Sequence, residues 1–256
     1  MQQPREQSRP PTTQDDFPRG WPLISCLAKA LLCAACAGPL FVPSLCAQAR
    51  VDPSLPEAPL PHQRSLIIFP GYETVHDPDT PVPALRPHQK FEMAWRKTFD
   101  SSYVVGAAID TASDEIFRMG PRYENGPNGV AQLYGYNAAN LASTFFFTDG
   151  LLPVVFHQDP RYFRKARGTI SSRVGWALRS QFISYNDQGR PMPNYSLTLG
   201  FAMSTALSNA YLPPQNVSFR NTMQGIAFKE GVRFGTNLVR EFGAVDLFKK
   251  HVLRQQ

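Results

Sequence analysis

The chain has 256 residues, of which 43% are hydrophobic, 12% aromatic and 18% charged, enough apolar content for one sizeable core or two small ones, which excludes a disordered chain. Its 24 prolines, 17 glycines and formal net charge of +6 are unevenly spread, and their positions say more than their totals.

All four cysteines, Cys26, Cys33, Cys36 and Cys46, lie in one apolar N-terminal stretch. The run 30–42 is preceded by Arg19 and Lys29 and followed by Ala47-Gln48-Ala49, the small-x-small pattern of a signal-peptide cleavage site. Residues 1–49 therefore read as a secretory signal peptide with a long n-region, and the chain as exported to the periplasm, envelope or extracellular space. The alternative is an inner-membrane anchor formed by an uncleaved segment 21–45. The residues ahead of Cys36 and Cys46 fit a lipid-attachment site poorly. A processed chain without cysteine would hold no disulfide, reactive thiol or thiolate metal site.

Nine prolines fall between Val51 and Pro87. Proline removes a backbone donor and pushes the preceding residue towards extended conformations, so residues 50–86 read as a Pro-rich linker or docking arm. Its apolar run, Leu66-Ile67-Ile68-Phe69, is a candidate short strand or docking segment. The remainder, 87–256, reads as one helical domain. Phe91, Ala94, Trp95 and Phe99 recur at amphipathic helical spacing behind Pro87, and Val104, Ala108, Ile109, Ala112 and Ile116 continue the period towards Gly120-Pro121. A second helix is predicted over 129–147, ending at Asp149-Gly150, with a buried turn around Pro153. A third is predicted over 170–185, with Ile170, Val174, Ala177, Leu178 and Gln181 on one face. A fourth runs from Tyr195 to Tyr211 between the cap Asn194 and Pro213-Pro214, and a last spans 219–253. The expected fold is all-α, a compact bundle of five to six helices.

Three of these helices carry small residues every fourth position: Ala131, Gly135, Ala139 and Ser143; Ser196, Gly200, Ser204 and Ser208; Ala227, Gly231 and Gly235. Glycine within a helix costs about 1 kcal/mol relative to alanine, so the stripes predict small-xxx-small packing faces where helix axes approach closely. Such faces, with charge-free windows at 125–148 and 191–219, make a membrane-embedded bundle the alternative to a water-soluble one.

Charge concentrates between Pro160 and Arg190, where Arg161, Arg164, Lys165, Arg167, Arg173, Arg179 and Arg190 face only Asp187, with Tyr162, Phe163 and Trp176 interleaved. Guanidinium groups beside aromatic rings suit phosphate-bearing or other anionic partners. Arg161, Arg164, Lys165, Arg167, Arg173 and Arg179 are therefore the candidate anion-binding residues. For an exported chain the expected partner is an anionic lipid or acidic envelope polysaccharide rather than nucleic acid. Ahead of them stands the most distinctive local sequence, Gly150-Leu151-Leu152-Pro153 followed by His157-Gln158-Asp159-Pro160-Arg161-Tyr162-Phe163-Arg164. In this segment, and in Asn194-Tyr195-Ser196 and Ser208-Asn209-Ala210-Tyr211, the chain resembles a family of uncharacterised exported proteins of acidobacterial-type soil bacteria. The likeness extends over about 87–248. It implies an exported single domain and supplies no catalytic residue.

His157 and Asp159, with Arg161, are the candidate catalytic residues of a hydrolase reading, because a carboxylate can orient an imidazole for proton transfer. The competing structural reading has Asp159 bridging to Arg161 or Arg164 while His157 bonds to backbone. No metal site is expected, since the other histidines, His62, His76, His88 and His251, lie in or beside the arm or at the C-terminus. Asp110 and Asp114 share a helical face and do not by themselves make a catalytic dyad. There is no Gly-rich phosphate loop, Gly-x-Ser-x-Gly elbow or His-Glu-x-x-His motif, and no cofactor is expected. The sequence thus supports an exported, envelope-associated protein with a structural or interaction role, with a hydrolase and a membrane-embedded bundle as alternatives.

Overall fold

A computed structural model describes residues 51–61, 64–65, 69–117, 121, 123 and 126–252. The signal-peptide and anchor readings, the four cysteines, residues 66–68 of the apolar run, and Arg118 lie outside them. The described region is 66% helical, with six helices and a few short strands, as the bundle reading requires.

The arm comes first: β1 (Val51–Asp52), β2 (Arg64–Ser65), β3 (Phe69–Pro70), β4 (Thr74–Val75) and β5 (Val82–Pro83). Helices α1 (Pro87–Thr98), α2 (Ser101–Phe117) and α3 (Pro127–Val155) follow, then β6 (Gln158–Asp159), β7 (Tyr162–Phe163), α4 (Ile170–Phe182), β8 (Ile183–Asn186), β9 (Pro191–Pro193), α5 (Tyr195–Tyr211) and α6 (Phe219–Val252). β1 runs parallel to β5 and β4 parallel to β7, β2 is antiparallel to β3, and β6, β8 and β9 form an antiparallel sheet. Neighbours in the bundle are α2 on α3, α3 on α5, α5 on α6, and α6 on α4.

Local chemistry explains most boundaries. Pro87 opens α1 at a position where its missing N–H is not needed. The Asp100 carboxylate accepts from Ser102 N at 2.8 Å and begins α2. Thr169 caps α4 by accepting from Ser172 N, and Asn194 caps α5 by accepting from Leu197 N at 3.2 Å. Three boundaries differ from expectation, the first being that the single period read from Phe91 to Ile116 breaks at Phe99-Asp100 into α1 and α2. α4 stops at Phe182 because Ile183 turns extended and pairs with Pro193 in the β8–β9 ladder. α3 does not end at Asp149-Gly150. It widens into a π turn at Phe146–Leu151 and continues through Leu152–Val155. That turn faces inward: Asp149 is buried, and Gly150 lies against α1, where an added Cβ would sit 3.2 Å from the Phe91 ring.

The arm is docked on the bundle rather than acting as a spacer. Val51 and Val75 pack with Phe163 and Tyr185, and Leu60, Tyr72 and Leu85 pack with Met93 of α1. Gln89 Nε2 donates to Ala58 O at 3.0 Å, tying α1 to the arm.

The bundle buries a small apolar core, Met93, Ala94, Ala107, Leu133, Leu152, Leu197 and Phe201, beside many polar side chains, and leaves much of its apolar surface outside. In a water-soluble bundle the apolar stripe of each helix faces the core. Here Trp95 and Phe99 of α1 are 68% exposed, and Val104, Ile109 and Ile116 of α2 face outward, the last 72% exposed. Leu199, Met203 and Leu207 of α5 and Val232 and Val239 of α6 do the same. The buried faces hold Lys90 and Lys97 of α1, Thr111 of α2, Asn137, Thr144, Thr148 and Asp149 of α3, Ser196, Ser204, Thr205 and Ser208 of α5, and Asn237, Arg240 and Glu241 of α6. The predicted face of α4 is rotated likewise, with Ile170 and Leu178 exposed and Ala177 and Gln181 buried. Of the three small-residue stripes, only that of α5 meets a neighbour: a Cβ on Gly200 would lie 2.6 Å from Thr148 Cγ2 and 3.2 Å from Thr148 backbone. Gly135, Gly231 and Gly235 have nothing within 4 Å of the same position, so the stripes of α3 and α6 are outer surface.

Candidate functional site

The basic segment folds around acids rather than forming one open face. Glu241, fully buried on α6, accepts through its carboxylate from Tyr162 Oη (2.9 Å), Lys165 N (2.9 Å), Ala166 N (2.9 Å) and Arg173 Nε (3.0 Å). Its backbone carbonyl accepts from Arg164 Nε at 2.8 Å and from Arg173 Nη2. Burial, together with the Glu241 carboxylate, pushes the Tyr162 hydroxyl well above the ordinary phenol range, so it stays a donor. Asp159 is buried and held side-on by Arg161, with Nε to Oδ1 at 3.0 Å and Nη2 to Oδ2 at 2.6 Å, while Arg161 Nη2 also donates to Pro83 O at 2.8 Å. Arg167 pairs with Asp79 of the arm. Lys165 Nζ donates to Ser172 Oγ at 2.5 Å.

The proposed acid/base pair is not assembled. Asp159 points into the protein against Arg161, as the structural reading anticipated, whereas the His157 side chain is 83% exposed and lies 3.9 Å from Asp187. His157 adopts φ 51°, and its carbonyl accepts from Asp187 N at 2.9 Å. It holds a turn through its backbone and its imidazole faces solvent. The face shared by Asp110 and Asp114 turns towards α3, where Asp114 accepts from Asn137 Nδ2 at 2.9 Å.

Two further ion-pair groups with buried lysines tie α1 to the rest of the fold. Lys97 Nζ lies 2.9 Å from Asp149 Oδ2 and 3.7 Å from Glu73, and Glu73 also pairs with Arg240. Lys90, 1% exposed, donates to both carboxylate oxygens of Asp187 at 2.7 and 2.8 Å and to Pro153 O at 3.1 Å. Removing charges from water costs several kcal/mol per ion, and only such complete pairing offsets it.

One cavity of mixed lining lies beside these groups. It measures about 40 Å³ and lies between α4, the β6–β8 ladder, the start of α5 and α6. Trp176, Arg179 and Ser180 reach it from one face of α4, Tyr185 from β8, and Arg233 and Asn237 from successive turns of α6. Asp159 and Arg161 also line it, already paired to one another. Arg179 lies over the Trp176 ring at 5.1 Å, and neither Arg179 nor Arg233 has a carboxylate within ion-pair distance among the described residues. Tyr185 Oη, Asn237 Oδ1 and Arg233 Nε are buried without a hydrogen-bond partner. Of these residues, charge density in the sequence had singled out Arg161 and Arg179. Arg233 and Asn237 had a legible signal, since with Arg240 and Glu241 they recur at helical spacing and mark one face of α6.

Among the described residues no group of three or more His, Cys, Asp or Glu side chains converges as a metal site. No family model, curated protein or solved structure matches the chain.

Proposed function

We propose that this chain is an exported membrane protein of the cell envelope, with its helices seated in lipid and a binding or structural role rather than a catalytic one. The observation that carries the reading is the distribution of side chains: large apolar residues exposed on five helices, and paired charges and hydroxyls buried beside a small apolar core. In hydrocarbon, polar groups must find partners within the protein, and ionisable side chains face the bundle interior. The apolar exposure belongs to α1, α2, α3, α5 and α6 rather than to one patch, which fits a surrounding solvent better than a single partner.

α3 is long and apolar enough to cross a bilayer, 29 residues with a mean hydropathy of 1.2 over its most apolar window. Only 33% of that window is buried, whereas a core helix of a water-soluble protein would be mostly covered. Tyr195 and Tyr211, both exposed, bracket α5 about 24 Å apart at 1.5 Å per residue, the placement of aromatic residues at the two faces of a hydrocarbon layer. A largely apolar groove of about 530 Å³ on α1 and α3, lined in part by Phe91, Trp95, Phe99 and Phe146, has the chemistry to take an acyl chain. The export part of the reading is supported by the run 30–42 with its Ala47-Gln48-Ala49 sequel, and by the resemblance of 150–164 to exported acidobacterial-type proteins.

Alkaline carbonate extraction of cells expressing the full chain tests the reading. The protein is expected in the membrane pellet with and without residues 1–49; release of the form lacking 1–49 into the supernatant would overturn it.

A further inference from the structure

We propose that the cavity between α4 and α6 is a binding site for a phosphoryl group, held by Arg179 and Arg233 and selected by Asn237. The inference rests on the cavity alone and does not depend on whether the helices sit in lipid.

Three guanidinium groups and one carboxylate line the space, and the carboxylate of Asp159 is already matched by Arg161. Among the described residues Arg179 makes no ion pair, while Arg233, whose charge acts on Glu230 of the same helix, keeps a buried Nε without a hydrogen-bond partner at this site. Both guanidinium groups are half-buried, and an oxyanion is the group that matches guanidinium donors in number and geometry. The neutral groups narrow the choice further. Tyr185, 3% exposed, has a hydroxyl free to donate. Asn237, 2% exposed, is fixed in orientation: its Nδ2 donates to Ser180 Oγ at 3.0 Å, and Ser180 in turn donates to Ala177 O at 2.7 Å. Since the Ser180 proton is already committed, Asn237 must present Oδ1 to the cavity as an acceptor.

A site with cationic donors and one buried acceptor calls for an anion that also carries a proton. A phosphoryl group meets this requirement, because its second proton is lost only near neutral pH. A fully ionised sulfate has no proton to give and would set oxygen against oxygen at Asn237. A cavity of about 40 Å³ has room for more than one water-sized group beside these side chains. Trp176 packs beside Arg179 and holds its guanidinium plane in place.

The full-length protein, purified in a non-ionic detergent, would be titrated with inorganic phosphate by calorimetry and by thermal unfolding, with sulfate at matched ionic strength as the comparison. A parallel arm would use nanodiscs with and without phosphatidic acid, which separates a free ion from a lipid headgroup as the source of the phosphoryl group. The expected result is saturable stabilisation in one arm, at least tenfold weaker binding in Arg179→Gln, and no change in Arg167→Gln, whose partner is Asp79. Asn237→Leu is expected to bind sulfate and phosphate alike. Arg179→Gln makes no ion pair in the fold, and circular dichroism would confirm that it remains folded. No response in either arm, an equal response to sulfate by the unmodified protein, or undiminished binding by Arg179→Gln would each overturn the proposal.

Discussion

Lys97 of α1 and Asp149 of the π turn in α3 meet at 2.9 Å with both side chains buried, and the Thr148 hydroxyl donates to the same carboxylate at 3.0 Å. Glu73 and Arg240 complete the group, so one cluster of charge joins the arm, α1, α3 and α6. Breaking a buried pair by removing one partner costs about 3–5 kcal/mol, whereas replacing both by apolar groups is often nearly neutral. Lys97→Met is therefore expected to lower stability by about that amount, and Lys97→Met with Asp149→Leu to recover more than half of the loss. Denaturation of the three proteins in the same detergent measures it.

Glu241 organises the segment from Tyr162 to Arg173, through four bonds to its carboxylate and two to its carbonyl. In Glu241→Ala the buried donors lose their acceptor, and the loop carrying Arg164, Lys165 and Arg167 is released. Limited trypsin digestion, read by fragment mass, should cut that loop at least tenfold faster than in the unmodified protein. Equal cutting rates would contradict the role given to Glu241.

The glycines separate by environment. Gly200→Ala would drive a methyl into Thr148 of the opposing π turn, where the backbone at 3.2 Å cannot yield cheaply, and is expected to cost about 1–3 kcal/mol. Gly231→Ala and Gly235→Ala meet open space and are expected to stabilise by up to about 1 kcal/mol each through helix propensity. Unfolding midpoints of the three variants test the contrast, and a loss of stability at Gly231 would show that α6 is covered there.

Polar substitution on the outer surface supplies the complementary test. Thr111 of α2 is buried while Ile109, two residues earlier, is exposed. If the exterior faces lipid, Ile109→Asp should prevent stable integration, and Ile109→Leu should be silent. In a water-exposed surface Ile109→Asp would be tolerated and would raise solubility, which fractionation of expressing cells distinguishes.

Helix positions were legible because caps, prolines and a 3.6-residue period act locally. α5 was read to the residue from Asn194 and Tyr211. The period locates a stripe but not the side on which it packs. Phe91, Trp95 and Phe99 form one stripe of α1, Lys90 and Lys97 another, and the choice between them depends on the solvent outside. The candidate site was legible in part. Asp159 with Arg161 is two residues apart and was anticipated as a bridge. Glu241 lies 68 to 79 residues from the donors it holds, a distance over which no local pattern carries information. Asn237 and Arg233 were visible only as a polar face of α6, which gained meaning once that face was found inside.

Collision accessibility of a nitroxide at two paired positions tests the central claim most directly. With Cys26, Cys33, Cys36 and Cys46 changed to serine, single cysteines at Ile109 and Leu199 would be spin-labelled and the protein reconstituted in liposomes. The account predicts strong relaxation by oxygen and little by a water-soluble nickel complex at both sites, the signature of hydrocarbon. Relaxation dominated by the nickel complex at both would place these faces in water and contradict it.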